Sequence, residues 1–245
     1  MTYCVGILLE QGLVLAADTR TNAGVDQIAV APKMHVFEQT GERVIVLLTS
    51  GNLAITQSVV NLLREQLREP GTNADLYQVH SMFEAARVVG DAMRDVHARD
   101  GEAMHAHGIE FGASILVAGQ ISGEKPRLFN VYAAGNFIEA TPDTPYLQIG
   151  ETKYGKPIID RVVNYHTDMM DAVKCALISF DSTIRSNISV GLPIDLMIYR
   201  TDSLNSTCRQ RLTEHDPYYT SLRKSWEQGL KNVFSALPNP HWSAS

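Results

Sequence analysis

Residues 2–9 (TYCVGILL) and 13–18 (LVLAAD) are apolar at odd and even positions alike. They flank Glu10-Gln11-Gly12, a turn, and so predict a hairpin covered on both faces. Residues 33–38 (KMHVFE) and 43–49 (RVIVLLT), joined through QTGE, predict a second hairpin of the same kind. The period then lengthens to that of a helix. Ile55, Val59, Leu62, Leu63 and Leu67 make one stripe, stopped by Pro70-Gly71, and Met82, Ala85, Ala86, Val89, Met93 and Val96 make another. Strand patterns return at 112–118, 128–133 and 137–141, followed by a helical stripe at Met170, Val173, Leu177, Phe180 and Ile184 with Thr167 as its N-cap. Residues 194–200 (IDLMIYR) predict a further strand, and Asp216-Pro217 opens a last helix with Tyr219, Leu222, Trp226, Leu230, Val233 and Leu237 on one side.

The order is strands, two helices, strands, helix, strand, helix, which is not the βαβα alternation of a parallel sheet. It predicts an α+β fold in which two antiparallel sheets stack face to face with helices outside. The pattern holds no repeat and no low-complexity linker, so residues 1–245 are expected to form a single domain, with 216–245 as a C-terminal helical extension.

Charge and cysteine usage narrow the function. A net charge of −6 with no basic cluster argues against a nucleic-acid partner. No apolar run approaches the ~20 residues that cross a bilayer, and the start lacks a secretory signal, so no membrane role is expected. Three scattered cysteines, Cys4, Cys175 and Cys208, predict reduced thiols and a cytoplasmic location rather than a disulfide framework.

Most domains begin with a few loosely held residues, yet here an apolar strand starts at Thr2. Thr2 is small enough for Met1 to be removed, which would leave a threonine carrying a free α-amine beside its hydroxyl. A hydroxyl needs a base within reach, and an α-amine with an unperturbed pKa of ~7.7–8.0 suits that duty. Asp18 closes the second apolar strand and Lys33 opens the next hairpin. A lysine near the amine would favour its neutral form, and a carboxylate would hold that lysine in place. Each residue alone is better read as an ordinary strand former or strand-end charge.

Taken together, TYCVGILLEQGLVLAADTR, APKMHVF, LLTSGNLAITQSVV and RSNISVGLPIDLMIY run in an order that resembles the proteasome β-subunit family of N-terminal nucleophile hydrolases, over nearly the whole chain. Within it the chain is most similar to the bacterial ancestral β-subunit branch. The resemblance implies a four-layer α-β-β-α sandwich and a threonine-type peptidase. It matches Thr2 to the nucleophile, Asp18 to the strand-end aspartate, Lys33 to the catalytic lysine and Gly51 to the oxyanion-hole glycine. Ser189 matches the serine near the amine. It implies a specificity pocket lined by Thr21, Ala31, His35, Thr49 and Leu53. Two positions supporting the amine depart from the family pattern: Ser186 stands for an aspartate, and Glu151 follows Gly150 where a hydroxyl is usual. The absence of a propeptide departs from many relatives and implies no autocatalytic processing. The family also implies no cofactor, self-assembly into a ring or helix, a peptide or unfolded-protein substrate, and a separate ATPase or other accessory partner if substrates must be unfolded. Two other readings stay open: a catalytically silent assembly subunit, and an amidase acting on a small amide.

Three weaker signals are set aside. GETKYGKP, residues 150–157, approaches a phosphate-binding loop, but Pro157 occupies the Ser/Thr position, and Lys153 and Lys156 are expected on a solvated turn. His105 and His107 in MHAHG lack companion ligands and are expected on an exposed loop, with no metal. Cys4 cannot share the amine of Thr2 and is expected as a small buried hydrophobe.

Overall fold

The computed structural model describes residues 2–23, 27–66 and 75–242. β1 (Tyr3–Leu9) and β2 (Gly12–Asp18) form the first predicted hairpin, paired from Cys4 with Ala17 to Leu9 with Gly12. They lie inside an antiparallel five-stranded sheet, completed by β10 (Tyr146–Gly150) beside β1, then β11 (Ile194–Arg200) and β12 (Arg209–Leu212) beyond β2. The second sheet runs β5 (Met34–Gln39), β6 (Arg43–Gly51), β7 (Ala113–Ile121), β8 (Arg127–Val131) and β9 (Phe137–Glu139) in that order, again antiparallel throughout. A small hairpin, β3 (Arg20–Ala23) with β4 (Gln27–Val30), projects between β2 and β5 in the chain.

The doubly apolar strands are explained by three cores. In β1, Cys4 and Leu8 face the other sheet, against Val44, Val46, Leu48 and Leu116. Tyr3, Val5, Ile7 and Leu9 face the opposite way, onto α3 (Thr152–Val162) and α4 (Met169–Ser186) through Ile159, Ala176, Leu177 and Phe180. In β6, Ile45 and Leu47 turn outward onto α1 (Leu53–Gln66) and α2 (Met82–Ala106), meeting Val59, Leu63, Ala86 and Val89. The layers are therefore helices, sheet, sheet, helices, a four-layer α-β-β-α sandwich. Each fully buried Leu, Ile or Val contributes about 1.5–3 kcal/mol relative to exposure, so strands apolar on both faces are fixed to the centre.

Several boundaries differ from the sequence expectation. The helix after residue 168 is capped by Asp168 rather than Thr167, because the carboxylate accepts from the N–H groups of Met170 (2.8 Å) and Asp171 (3.3 Å). Residues 152–162 are helix α3 and not a solvated turn. Gly155 there packs against the Tyr3 ring where a Cβ would collide, and Lys156 pairs with Asp160 at 2.8 Å one turn on. His105 sits in the last turn of α2 and His107 caps it, so this segment is an exposed helix end rather than a loop. The four-residue strands β3, β4 and β12 were not expected, β3 and β12 being mostly polar. Leu67 and Pro70-Gly71 lie outside the described residues. The last helix, α5 (Pro217–Ala236), begins as expected, with Asp216 accepting from Tyr219 N–H at 2.7 Å.

Candidate active site

Thr2 is buried at the lip of the first sheet. Its carbonyl accepts from the Glu151 N–H at 2.7 Å, and the next residue, Tyr3, pairs with Gly150. Gly150 has φ +83°, and a Cβ on it would drive into the Thr2 carbonyl and meet Ser50 Oγ at 2.9 Å. Glycine is required where the chain takes this left-handed turn in contact with another backbone.

The charged residues meet one peptide unit away. Tyr3 N–H donates to Asp18 Oδ1 at 3.1 Å, and Lys33 Nζ donates to the same oxygen at 2.7 Å. Lys33 also donates to the Arg20 carbonyl at 2.6 Å. Gly191 N–H reaches Asp18 Oδ2 at 3.4 Å. Both ends of the ion pair are buried, with side chains 4% and 0% exposed. Burial raises the Asp18 carboxyl above its ordinary range, while the Lys33 ammonium and the two backbone N–H groups favour the ionised form. The last residue of an apolar strand is thus a carboxylate whose charge is held by a lysine, not by water.

Gly51 ends β6 with φ +109°, and a Cβ there would strike the Gly112 carbonyl. Asn52 follows and caps α1, its Oδ1 accepting from Ala54 N–H at 2.9 Å. Thr49 lies across from Lys33, its N–H donating to the Lys33 carbonyl at 3.0 Å. Ala31 donates to the Thr19 carbonyl at 2.8 Å, and Thr21 lies in β3 opposite Ala29. Leu53 begins α1, half-buried. His35, half-buried in β5, lies beside Arg64 of α1, with Nδ1 3.4 Å from Nη2.

The loop carrying Ser189 is drawn toward this centre. Besides the Gly191 contact, the Ile188 carbonyl accepts from Arg20 at 3.0 Å and the Pro193 carbonyl from Thr19 Oγ1 at 2.8 Å. Ser189 itself is half-buried, its N–H donating to Asn187 Oδ1 at 2.9 Å. Ser186 stands apart, exposed as the last residue of α4. Glu151 precedes α3 with its carboxylate 3.8 Å from Lys153. Cys4 is buried as expected, its thiol donating to the Thr49 carbonyl at 3.6 Å and pushed far up in pKa by burial. Sequence reasoning missed Ser50 and the placing role of Gly150, although a glycine directly after a strand was the available signal. Among the described residues no cluster of His, Cys, Asp and Glu could hold a metal, and no helix is long and apolar enough to cross a membrane.

This geometry agrees with the comparisons to known proteins. Residues 2–198 match the family described as proteasome subunit, so the chain belongs to the proteasome subunit family, and the sandwich is that of N-terminal nucleophile hydrolases. The proteasome subunit beta of Methanopyrus kandleri is 26% identical over 194 residues, spanning 78% of this chain and 82% of that protein. The structural resemblance is more specific. Anbu, the ancestral β-subunit, from Yersinia bercovieri is 50% identical with a TM-score of 0.92, covering 98% of this chain and 100% of that one. The Anbu complex from Pseudomonas aeruginosa, described as a helical assembly, is 48% identical with a TM-score of 0.93, over 97% of this chain and 98% of that one.

Proposed function

We propose that the protein is a threonine-type peptidase whose nucleophile is Thr2, exposed by removal of Met1. The observation that carries the reading is the convergence of Tyr3 N–H and Lys33 Nζ on one oxygen of buried Asp18, a single peptide from Thr2. In this mechanism Thr2 Oγ attacks the scissile carbonyl while the α-amine of the same residue takes its proton. The Gly51 N–H holds the developing oxyanion, a contribution of about 3–4 kcal/mol for a preorganised donor. The amine product leaves as an acyl ester forms on Thr2, and water reverses the proton path to release the acid. Lys33 keeps the amine neutral by like-charge repulsion, Asp18 fixes Lys33, and Ser189 positions the amine. Thr21, Ala31, His35, Thr49 and Leu53 line the substrate groove, and Glu151, next to the Thr2 carbonyl, modulates the surroundings of the amine, whereas exposed Ser186 does not.

The whole chain acts as one domain, α5 being its extension, in a cytoplasmic homo-oligomer that encloses its active sites. Assembly is supported by the likeness to the helical Anbu complex from Pseudomonas aeruginosa. Peptide or unfolded protein is the substrate, with any unfolding supplied by a separate ATPase. Fluorogenic peptides and small acyl amides, each assayed against wild type and Thr2→Ala, test the reading. Hydrolysis of peptides lost in Thr2→Ala supports it; cleavage of small amides alone points to an amidase. Equal inertness of both proteins toward both substrate classes points to a silent assembly subunit.

A further inference from the structure

A cavity of about 430 Å³ opens where the chain passes Lys33, between the start of β5 and one face of α1. Pro32 and Met34, on either side of Lys33, form one wall with His35; Gln57, Asn61 and Arg64 form the other. Those three recur at helical spacing and extend the line that starts at Leu53, just after Gly51. The cavity therefore lies along the α1 face that begins two residues after Gly51, beside the segment that carries Lys33.

Its charge is one-sided. A guanidinium only donates, so His35 Nδ1 accepts from Arg64 Nη2 across their 3.4 Å contact. Burial first and the Arg64 charge second push the imidazole down to about 4, leaving it neutral at neutral pH. Lys33 next door is matched by Asp18, but no residue lining this cavity carries a carboxylate. Among the described residues Arg64 has no acidic partner. A planar guanidinium steadied by a neutral imidazole, at the wall of a polar cavity, is a built receptor for a carboxylate.

We infer that this cavity takes an acidic side chain, so that the hydrolase prefers glutamate or aspartate on the acyl side of the bond it cleaves, with Arg64 as the specificity-determining residue. The inference rests on the proposed function for its meaning, yet it makes a claim about binding that is independent of turnover. The half-open setting limits the effect through solvent screening, and a charge-assisted contact of this kind gives about tenfold discrimination.

The test uses the full chain in its assembled form and two readouts. In the first, labelled peptides ending in a glutamyl, leucyl or arginyl amide are titrated against Thr2→Ala protein and followed by fluorescence anisotropy. The glutamyl peptide is expected to bind about tenfold more tightly than the leucyl one, with the ratio collapsing in Arg64→Gln, partly restored in Arg64→Lys and inverted toward arginyl in Arg64→Glu. Equal binding of the glutamyl and leucyl peptides, or a ratio that survives Arg64→Gln, overturns the inference. In the second, wild type hydrolyses the matching fluorogenic substrates with the same ranking. A binding preference without any turnover sinks the hydrolase reading and leaves the cavity assignment standing. Turnover without an Arg64-dependent preference does the reverse.

Discussion

Two basic side chains reach the start of β5 and are treated in opposite ways by the fold. Lys33 is buried, and its charge is matched at 2.7 Å by a carboxylate with no solvent access. Arg64 is exposed, paired among the described residues only with the neutral His35, and faces a cavity whose lining has no acid groups. The first arrangement is internally neutral and immobile, which suits a group that must tune a reaction without moving. The second leaves a charge unmet, which suits recognition. Position relative to solvent, and not residue type, separates the two roles proposed for these side chains.

The largest effect that would break this comparison is on stability. Asp18→Asn or Lys33→Met alone strands a buried charge or its partner and is expected to cost about 3–5 kcal/mol in urea unfolding. The double variant removes both charges and should recover most of that loss while remaining inactive. A single-variant cost near zero would mean that the pair is solvated, and the contrast with Arg64 would vanish.

Gly150→Ala comes next. Its φ of +83° and the collision with the Thr2 carbonyl predict a loss of about 2 kcal/mol or more. Because the same collision displaces Thr2, peptide hydrolysis should fall about a hundredfold, measured as kcat at saturating substrate.

His35 sharpens the other side. Its folded-state value of about 4 lies below the ordinary 6.5, so unfolding takes up a proton anywhere between. The contribution is complete above pH 6.5 and is lost as pH falls toward 4. Imidazole NMR should show the titration near the lower value, and His35→Gln should flatten the acid side of the stability profile. Bound acidic peptide should raise that value by supplying a carboxylate to the Arg64 side of the ring. Smallest of all, Arg64→Gln should change unfolding free energy by no more than about 0.5 kcal/mol, as for an exposed residue.

How much of this was legible beforehand follows the same division. Thr2, Asp18 and Lys33 stood out only as a set, through the family resemblance, because each alone reads as an ordinary strand former or strand-end charge. The two hairpins, the stripes of α1, α2 and α4 and the Asp216-Pro217 start were plain, each carried by local periodicity or capping, whereas the α5 stripe reads as a core face and yet leaves Leu230, Val233 and Leu237 exposed. Helix α3 was hidden because Gly155 and Pro157 read as turn residues. In fact Gly155 provides clearance for the Tyr3 ring, a tertiary requirement that no local pattern announces. β3, β4 and β12 are only four residues long, too short to show a period, and are defined by their partners. Arg64 belonged to an ordinary helix face until the fold set it against His35.

The central claim is that the mature chain begins at Thr2, with amine and hydroxyl acting together. Intact-mass analysis before and after treatment with a peptide epoxyketone tests it most directly, because that group bonds to both atoms of an N-terminal threonine. The account predicts a mass lacking one methionine and a single adduct mapped to Thr2, absent in Thr2→Ala. A chain that retains Met1 while hydrolysing peptides, or an adduct mapped elsewhere, would contradict it.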